Sequence, residues 1–134
     1  MMRALRLLVI VSGVATSALS GRAGADGALV VGVPEGGLRD GFAYGRAIGG
    51  SSQDVRERAF AICREQARQQ GFSDTRCNLI EAFKDKCVAV AMDSGERWAG
   101  WAVAAHKAAA EQGALGRCRE GARGCRLHSI DCDK

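Results

Sequence analysis

Cys118, Cys125, His128 and Cys132 stand close together near the end of the chain, in CREGARGCRLHSIDC. Side chains of these types do three kinds of chemistry. Three thiolates and an imidazole are a known ligand set for structural zinc. Paired thiols run redox exchange, and oxidised pairs brace a fold. The spacing Cys-x6-Cys-x2-His-x3-Cys lacks the tight two-to-four-residue knuckle of most zinc sites. No Cys-x-x-Cys occurs either, which argues against a redox motif. Disulfide bracing is the expectation, and zinc held by Cys118, Cys125, His128 and Cys132 is the alternative.

An earlier stretch supports bracing. GFAYGRAIGGSSQDVRERAFAICREQARQQGFSDTRCNLIEAFKDKC is echoed by RWAGWAVAAHKAAAEQGALGRCREGARGCRLHSIDC. Each passes from an aromatic, glycine-containing stretch into a helical pattern with a late cysteine. A second cysteine, a leucine two positions on and a third cysteine follow. Cys63, Cys77 and Cys87 then match Cys118, Cys125 and Cys132, Leu79 matches Leu127, and Ala59-Phe60 matches Ala114-Leu115. Ile80 stands where His128 does, so only one half carries the imidazole. Such periodicity predicts duplication, with units at about 28–87 and 88–132. Six cysteines allow 15 connectivities. Equivalent folding of two units selects Cys63–Cys77 and Cys118–Cys125 inside the units and leaves Cys87–Cys132 to bridge them.

The elements that must position these groups follow from pattern. Leu29 to Val33 and Phe42 to Ile48 read as strands joined by the turn-rich PEGGLRDG. Ser51 or Ser52 caps a helix, with Gln53 or Asp54 in its first turn. Val55, Ala59, Ile62, Cys63 and Ala67 recur at helical spacing and Gly71 ends the run. Cys77 to Phe83 is a third strand. The second unit reads CVAVAM, a turn at Asp93 to Glu96, a strand from Arg97 to Val103, a helix at about Ala105 to Arg119 and a strand from Arg126 to Ile130. That helix has no good cap, His106 being a weak one. The predicted class is α+β, as duplicated ββαβ units with two helices packed on an antiparallel sheet and stapled by disulfides.

The first residues, MMRALRLLVIVSGVATSALSGRAGADG, have the layout of a secretory signal peptide. Arg3 and Arg6 precede a short apolar run, and small-residue cleavage patterns end near Ser20 and Ala25. The run is shorter than the roughly 20 apolar residues of a spanning helix. Residues 1–25 are therefore expected to be removed, leaving one secreted or periplasmic domain over 26–134. The chain's formal charge is +4, from 19 basic and 15 acidic side chains. Arg3, Arg6 and Arg22 lie in the leader and no acid does, so the remainder carries 16 against 15. Neither nucleic acid nor an anionic membrane is an expected partner at that balance.

Catalytic patterns are sparse. No Gly-x-Ser-x-Gly, His-Glu-x-x-His or phosphate-cradling loop occurs. Asp93 and Ser94 share a turn, and Glu81 and Asp85 read as solvated partners of Lys84 and Arg76. An envelope hydrolase would have to use His106 or His128 with a nearby carboxylate. Phe42 and Tyr44 share a strand face, whereas Trp98 and Trp101 fall on opposite faces unless Gly100 bulges. An outward tryptophan ringed by Arg97 and Arg46 would make a protein-binding hot spot.

The stretches AFAIC, CVAVAM, RWAGWA, AAAEQGALGRC and CRLHSIDC resemble the small exported bacterial proteins grouped as domain of unknown function 4189, over roughly residues 27–132. The resemblance implies a compact secreted α+β domain and supplies no catalytic residues. The expected function is that of a non-catalytic protein-interaction module (an effector, an inhibitor or an envelope factor) with no cofactor.

Overall fold

The computed structural model describes residues 26–133. The expected leader and its cleavage sites lie outside them. Two units of the same order follow one another. In the first, β1 (Asp26–Gly32), β2 (Ala43–Ile48), α1 (Ser52–Gln69) and β3 (Cys77–Lys84) form an antiparallel sheet of order β2-β1-β3 with its helix. In the second, β4 (Cys87–Met92), β5 (Ala99–Ala104), α2 (Lys107–Gly121) and β6 (Arg126–Cys132) form a sheet of order β5-β4-β6. The class is α+β with ββαβ repeated. The antiparallel sheet is divided into two three-stranded sheets, each with one helix.

Three layers of apolar packing explain the division. β1 sends Ala28 and Val30 towards α1, where they meet Val55, Ala59, Cys63 and Ala67. Its other face, Leu29 and Val31, meets Phe42, Tyr44, Phe83, Val88 and Val90. β4 repeats the scheme, with Val88 and Val90 between the sheets and Ala89 and Ala91 against Ala110, Ala114 and Cys118 of α2. The order is helix, sheet, sheet, helix. Both central strands are buried on both faces, as their unbroken apolar runs require.

Local signals set the boundaries. Ser51 caps α1, its Oγ accepting from the Asp54 N–H at 3.2 Å. Gly71, at φ +81°, ends that helix. His106 is the cap residue of α2, and its side chain makes no capping bond. Between β4 and β5, Asp93 Oδ1 accepts from the N–H groups of Arg97 and Trp98, both at 2.8 Å. Partial burial pushes the Asp93 carboxyl up, and these backbone bonds outweigh it, so its pKa lies below the ordinary value. A depressed folded pKa stabilises above the unfolded value, about 3.9, and the contribution is lost as pH falls through the folded value. Asp93→Ala is expected to cost about 1.5 kcal/mol at neutral pH. In urea titrations at stepped pH that deficit should shrink below about pH 4; a pH-independent deficit would assign the loss to packing.

Three disulfides are present: Cys63–Cys77, Cys87–Cys132 and Cys118–Cys125. These are the expected partners, but Cys87–Cys132 does not bridge the units. Cys87 opens β4 and lies directly opposite Cys132 on β6, so the bond closes the second sheet on itself. The reason is register. Lys84, not Cys87, ends β3 opposite Asp26, in the place Cys132 takes opposite Cys87. Each unit is cross-linked internally, and non-covalent packing holds the two together.

The equivalence runs deeper than the cysteines. Gly45 pairs with Val30 on β1, and Gly100 pairs with Ala91 on β4. A Cβ on Gly45 would lie 1.8 Å from the Ala59 carbonyl oxygen, and one on Gly100 would lie 2.3 Å from that of Ala114. In each unit the helix backbone therefore rests on a strand glycine. The third strands are irregular at matching points, between Leu29 and Val30 and between Val90 and Ala91. Leu79 and Leu127 occupy matching positions opposite Val30 and Ala91.

Candidate functional site: the Trp98–Trp101 edge

β5 is an outer strand of its sheet. Alternation along it sends Trp98 towards α2, where its ring lies over Gly121; a Cβ there would sit 1.9 Å from Trp98 Cε2. Trp101 points between the sheets and stacks on Phe42, with centroids 5.5 Å apart and planes 12° apart. Phe42 in turn stacks on Tyr44 at 5.6 Å. Both indoles are partly exposed. They meet at the strand's edge, where a depression of about 240 Å³ is lined by Leu38, Trp98, Ala99, Gly100, Trp101, Arg117 and Glu120. A neighbouring depression of about 380 Å³ shares Trp98 and adds Arg39, Arg97 and Asp93. Strand alternation alone separates the two tryptophans; the open edge brings them together.

Arg46 is elsewhere. It projects from β2 to Asp131 of β6, with Nη1 2.5 Å from Oδ2. That contact lacks hydrogen-bond geometry at Oδ2 and both side chains are about a third exposed, so it is worth at most about 1 kcal/mol. The expected ring of Arg97 and Arg46 around one tryptophan is not assembled. Arg97 stays with Trp98, and Arg46 joins a polar seam between the units.

Tyr44 is the centre of that seam. Its hydroxyl is 2.8 Å from His128 Nδ1 and donates to Ser129 Oγ at 3.4 Å. The rings of Tyr44 and His128 meet edge to face at 5.9 Å. His128 is exposed on β6 while Tyr44 is buried. His106 stands apart, exposed at the start of α2. The zinc alternative fails on bonding: Cys118, Cys125 and Cys132 are each in a disulfide, leaving no thiolate for a metal. Among the described residues no group of three or more His, Cys, Asp or Glu could hold a metal ion. Glu81 faces Lys86 Nζ at 3.9 Å, and Arg76 Nε donates to the Val33 carbonyl, so the expected pairings with Lys84 and Arg76 give way to these.

The cysteine pattern, the doubled unit and the tryptophan-bearing strand all lie within residues 27–132, the span matched by the family described as domain of unknown function (DUF4189). The chain belongs to the DUF4189 family. No curated protein and no solved structure matches it. Among the described residues of this DUF4189 chain, no helix is long and apolar enough to cross a membrane.

Two glutamines have a role that no sequence pattern marks. Gln66 and Gln70 on α1 reach the outer edge of β2, where their Oε1 atoms accept from the N–H groups of Tyr44 at 3.0 Å and Phe42 at 2.9 Å. In a helical pattern they read as solvent-facing polar residues, and no spacing rule marks them. Gly45 and Gly100 did carry a signal, since a lone glycine inside a strand marks close backbone approach.

Proposed function

We propose that this DUF4189 chain is an exported, disulfide-braced domain that acts by binding a protein. Three disulfides, with every described cysteine paired, suit an oxidising compartment. The observation that carries the binding reading is the convergence of Trp98, Trp101 and Arg97 on adjoining surface depressions. Tryptophan and arginine dominate binding energy at protein interfaces because they combine large contact area with directed polar groups.

The test uses the full chain, exported and purified oxidised, cross-linked to cell-envelope extract beside the single variants Trp101→Ala and Arg97→Glu. A protein recovered with the wild type should fall about tenfold or more with each variant, equivalent to about 1.4 kcal/mol. Circular dichroism identifies any variant that has lost its fold. Equal recovery with folded variants would remove the tryptophan edge from the binding reading.

A second reading is an envelope hydrolase centred on His128, favoured by its contact with the Tyr44 hydroxyl. Replacing His106 and His128 together by alanine without a change in phenotype would remove it.

A further inference from the structure

The two units treat the matching strand edge differently at one position, Tyr44 in the first and Ala99 in the second. On β2, the N–H groups of Phe42 and Tyr44 point away from β1 and are sealed by Gln70 and Gln66. The matching strand of the second unit is β5, in the register set by Gly45 and Gly100. Tyr44, Arg46 and Ile48 correspond to Ala99, Trp101 and Val103. The Asp93 N–H donates to the Trp98 carbonyl at 3.1 Å, so Trp98 faces β4 and its alternate neighbours Ala99, Trp101 and Val103 face outward. Each turns one donor and one acceptor away from β4; Ala99 is buried there, and Trp101 and Val103 are partly exposed. Gln66 is matched by Gly121, and α2 ends there, so nothing corresponds to Gln70. Ala43 is matched by Trp98, whose ring occupies the space above Gly121. Arg97, which matches Phe42, gives its N–H to Asp93 Oδ1, and beyond it no side chain among the described residues bonds the N–H groups of Ala99, Trp101 or Val103.

An open edge with flanking pockets is the arrangement by which sheets accept an additional strand. The rim supplies the charge preference. Arg39, Arg97 and Arg117 line the two depressions and make no ion pair among the described residues. Asp93 and Glu120 are the opposing charges, so the lining carries three cations against two carboxylates, and the Asp93 carboxylate is already engaged by backbone N–H groups. The geometry points to β5 as a docking edge for an extended, acidic segment of a partner protein, paired to the partly exposed Trp101 and Val103 with a side chain set against Trp98 and Trp101. This rests on the protein-binding reading and specifies how binding occurs.

The experiment titrates the exported, oxidised full chain with blocked nonapeptides that alternate valine and threonine and carry two aspartates. Matched peptides carry two lysines instead, or aspartates with alternate amides N-methylated in one register or the other. The acidic peptide should saturate and shift the tryptophan emission. The lysine exchange should weaken it about tenfold or more. N-methylation in one register should abolish binding and in the other should not, because only alternate amides face β5. Trp98→Ala with Gly121→Gln installs the counterparts of Ala43 and Gln66, which removes one indole and offers an acceptor to the Ala99 N–H, and should remove binding. Amide exchange at Trp101 and Val103 should be about tenfold faster than at Phe42 and Tyr44 in the free protein, and should slow with peptide. That measurement decides the matter if the double variant does not fold. Failure of every peptide, indifference to N-methylation in both registers, or unchanged binding by a folded double variant would each overturn the docking edge. Envelope capture that still depends on Trp101 in those cases leaves the broader reading standing; capture lost as well defeats both.

Discussion

Gly45→Ala is expected to destabilise the protein by about 3 kcal/mol, lowering Tm by roughly 15 °C. The added methyl would meet the Ala59 carbonyl oxygen at 1.8 Å and the Cys63 nitrogen at 2.9 Å. These are backbone atoms of a helix whose Cys63 is tied to β3, so no rotamer change relieves the contact and α1 must move off its sheet. That movement opens the layer formed by Ala28, Val30, Ala43, Val55 and Ala59, whose small side chains cannot bridge a wider gap. Gly100→Ala should match it, because Ala114 O and Cys118 N lie at 2.3 and 2.4 Å from the new methyl. Gly116→Ala is the control. It sits in α2 with open space around it and should stabilise by about 1 kcal/mol through helix propensity. Thermal melts followed by circular dichroism check all three. A Gly45→Ala protein within about 0.5 kcal/mol of wild type would show that the helix is not seated on the strand.

Removing Cys87–Cys132 as a double alanine variant should cost about 4 kcal/mol in the chain-entropy account. The bond joins residues 45 apart in sequence, against 14 for Cys63–Cys77 and 7 for Cys118–Cys125. Longer closed loops restrict the unfolded chain more, so the same account gives about 3 and about 2.5 kcal/mol for the other two. Both Cys87 and Cys132 lie within the second sheet, and β4 is its central strand, so the loss should loosen β6 and the seam it carries to Tyr44. Urea denaturation of the three double variants gives the order directly. A larger cost for Cys118–Cys125 than for Cys87–Cys132 would contradict it. Peptide mapping without reduction should recover the three pairs and no free thiol.

The cysteine pairing was legible because matching patterns place matching thiols at a helix end and a strand start. Helical spacing in Val55, Ala59, Cys63 and Ala67 likewise marked the buried face of α1, all four being fully buried, whereas Ile62, read as part of the same stripe, is exposed at the margin of that face. Two expectations give way to strand register and to contacts between strands. The repeat was measured by cysteine order, which set Cys87 against Cys132; register sets Lys84 there and gives Cys87 to the second unit. The hot spot was assembled from residue type, which drew Arg46 towards the tryptophans when Asp131 on another strand holds it.

Composition and periodicity by themselves determined the class, the doubled ββαβ order, the cysteine partners and the separation of Trp98 from Trp101, because each depends on neighbours within a few turns or on like segments folding alike. Only tertiary structure decided that the sheet divides in two. LVV and CVAVAM are apolar at every position, and a strand buried on both faces has no alternation to say what covers each face. The same holds for the edges. Whether a strand is sealed by Gln66 or left open beside Gly121 depends on where a helix ends against a sheet, a distance that local sequence does not encode.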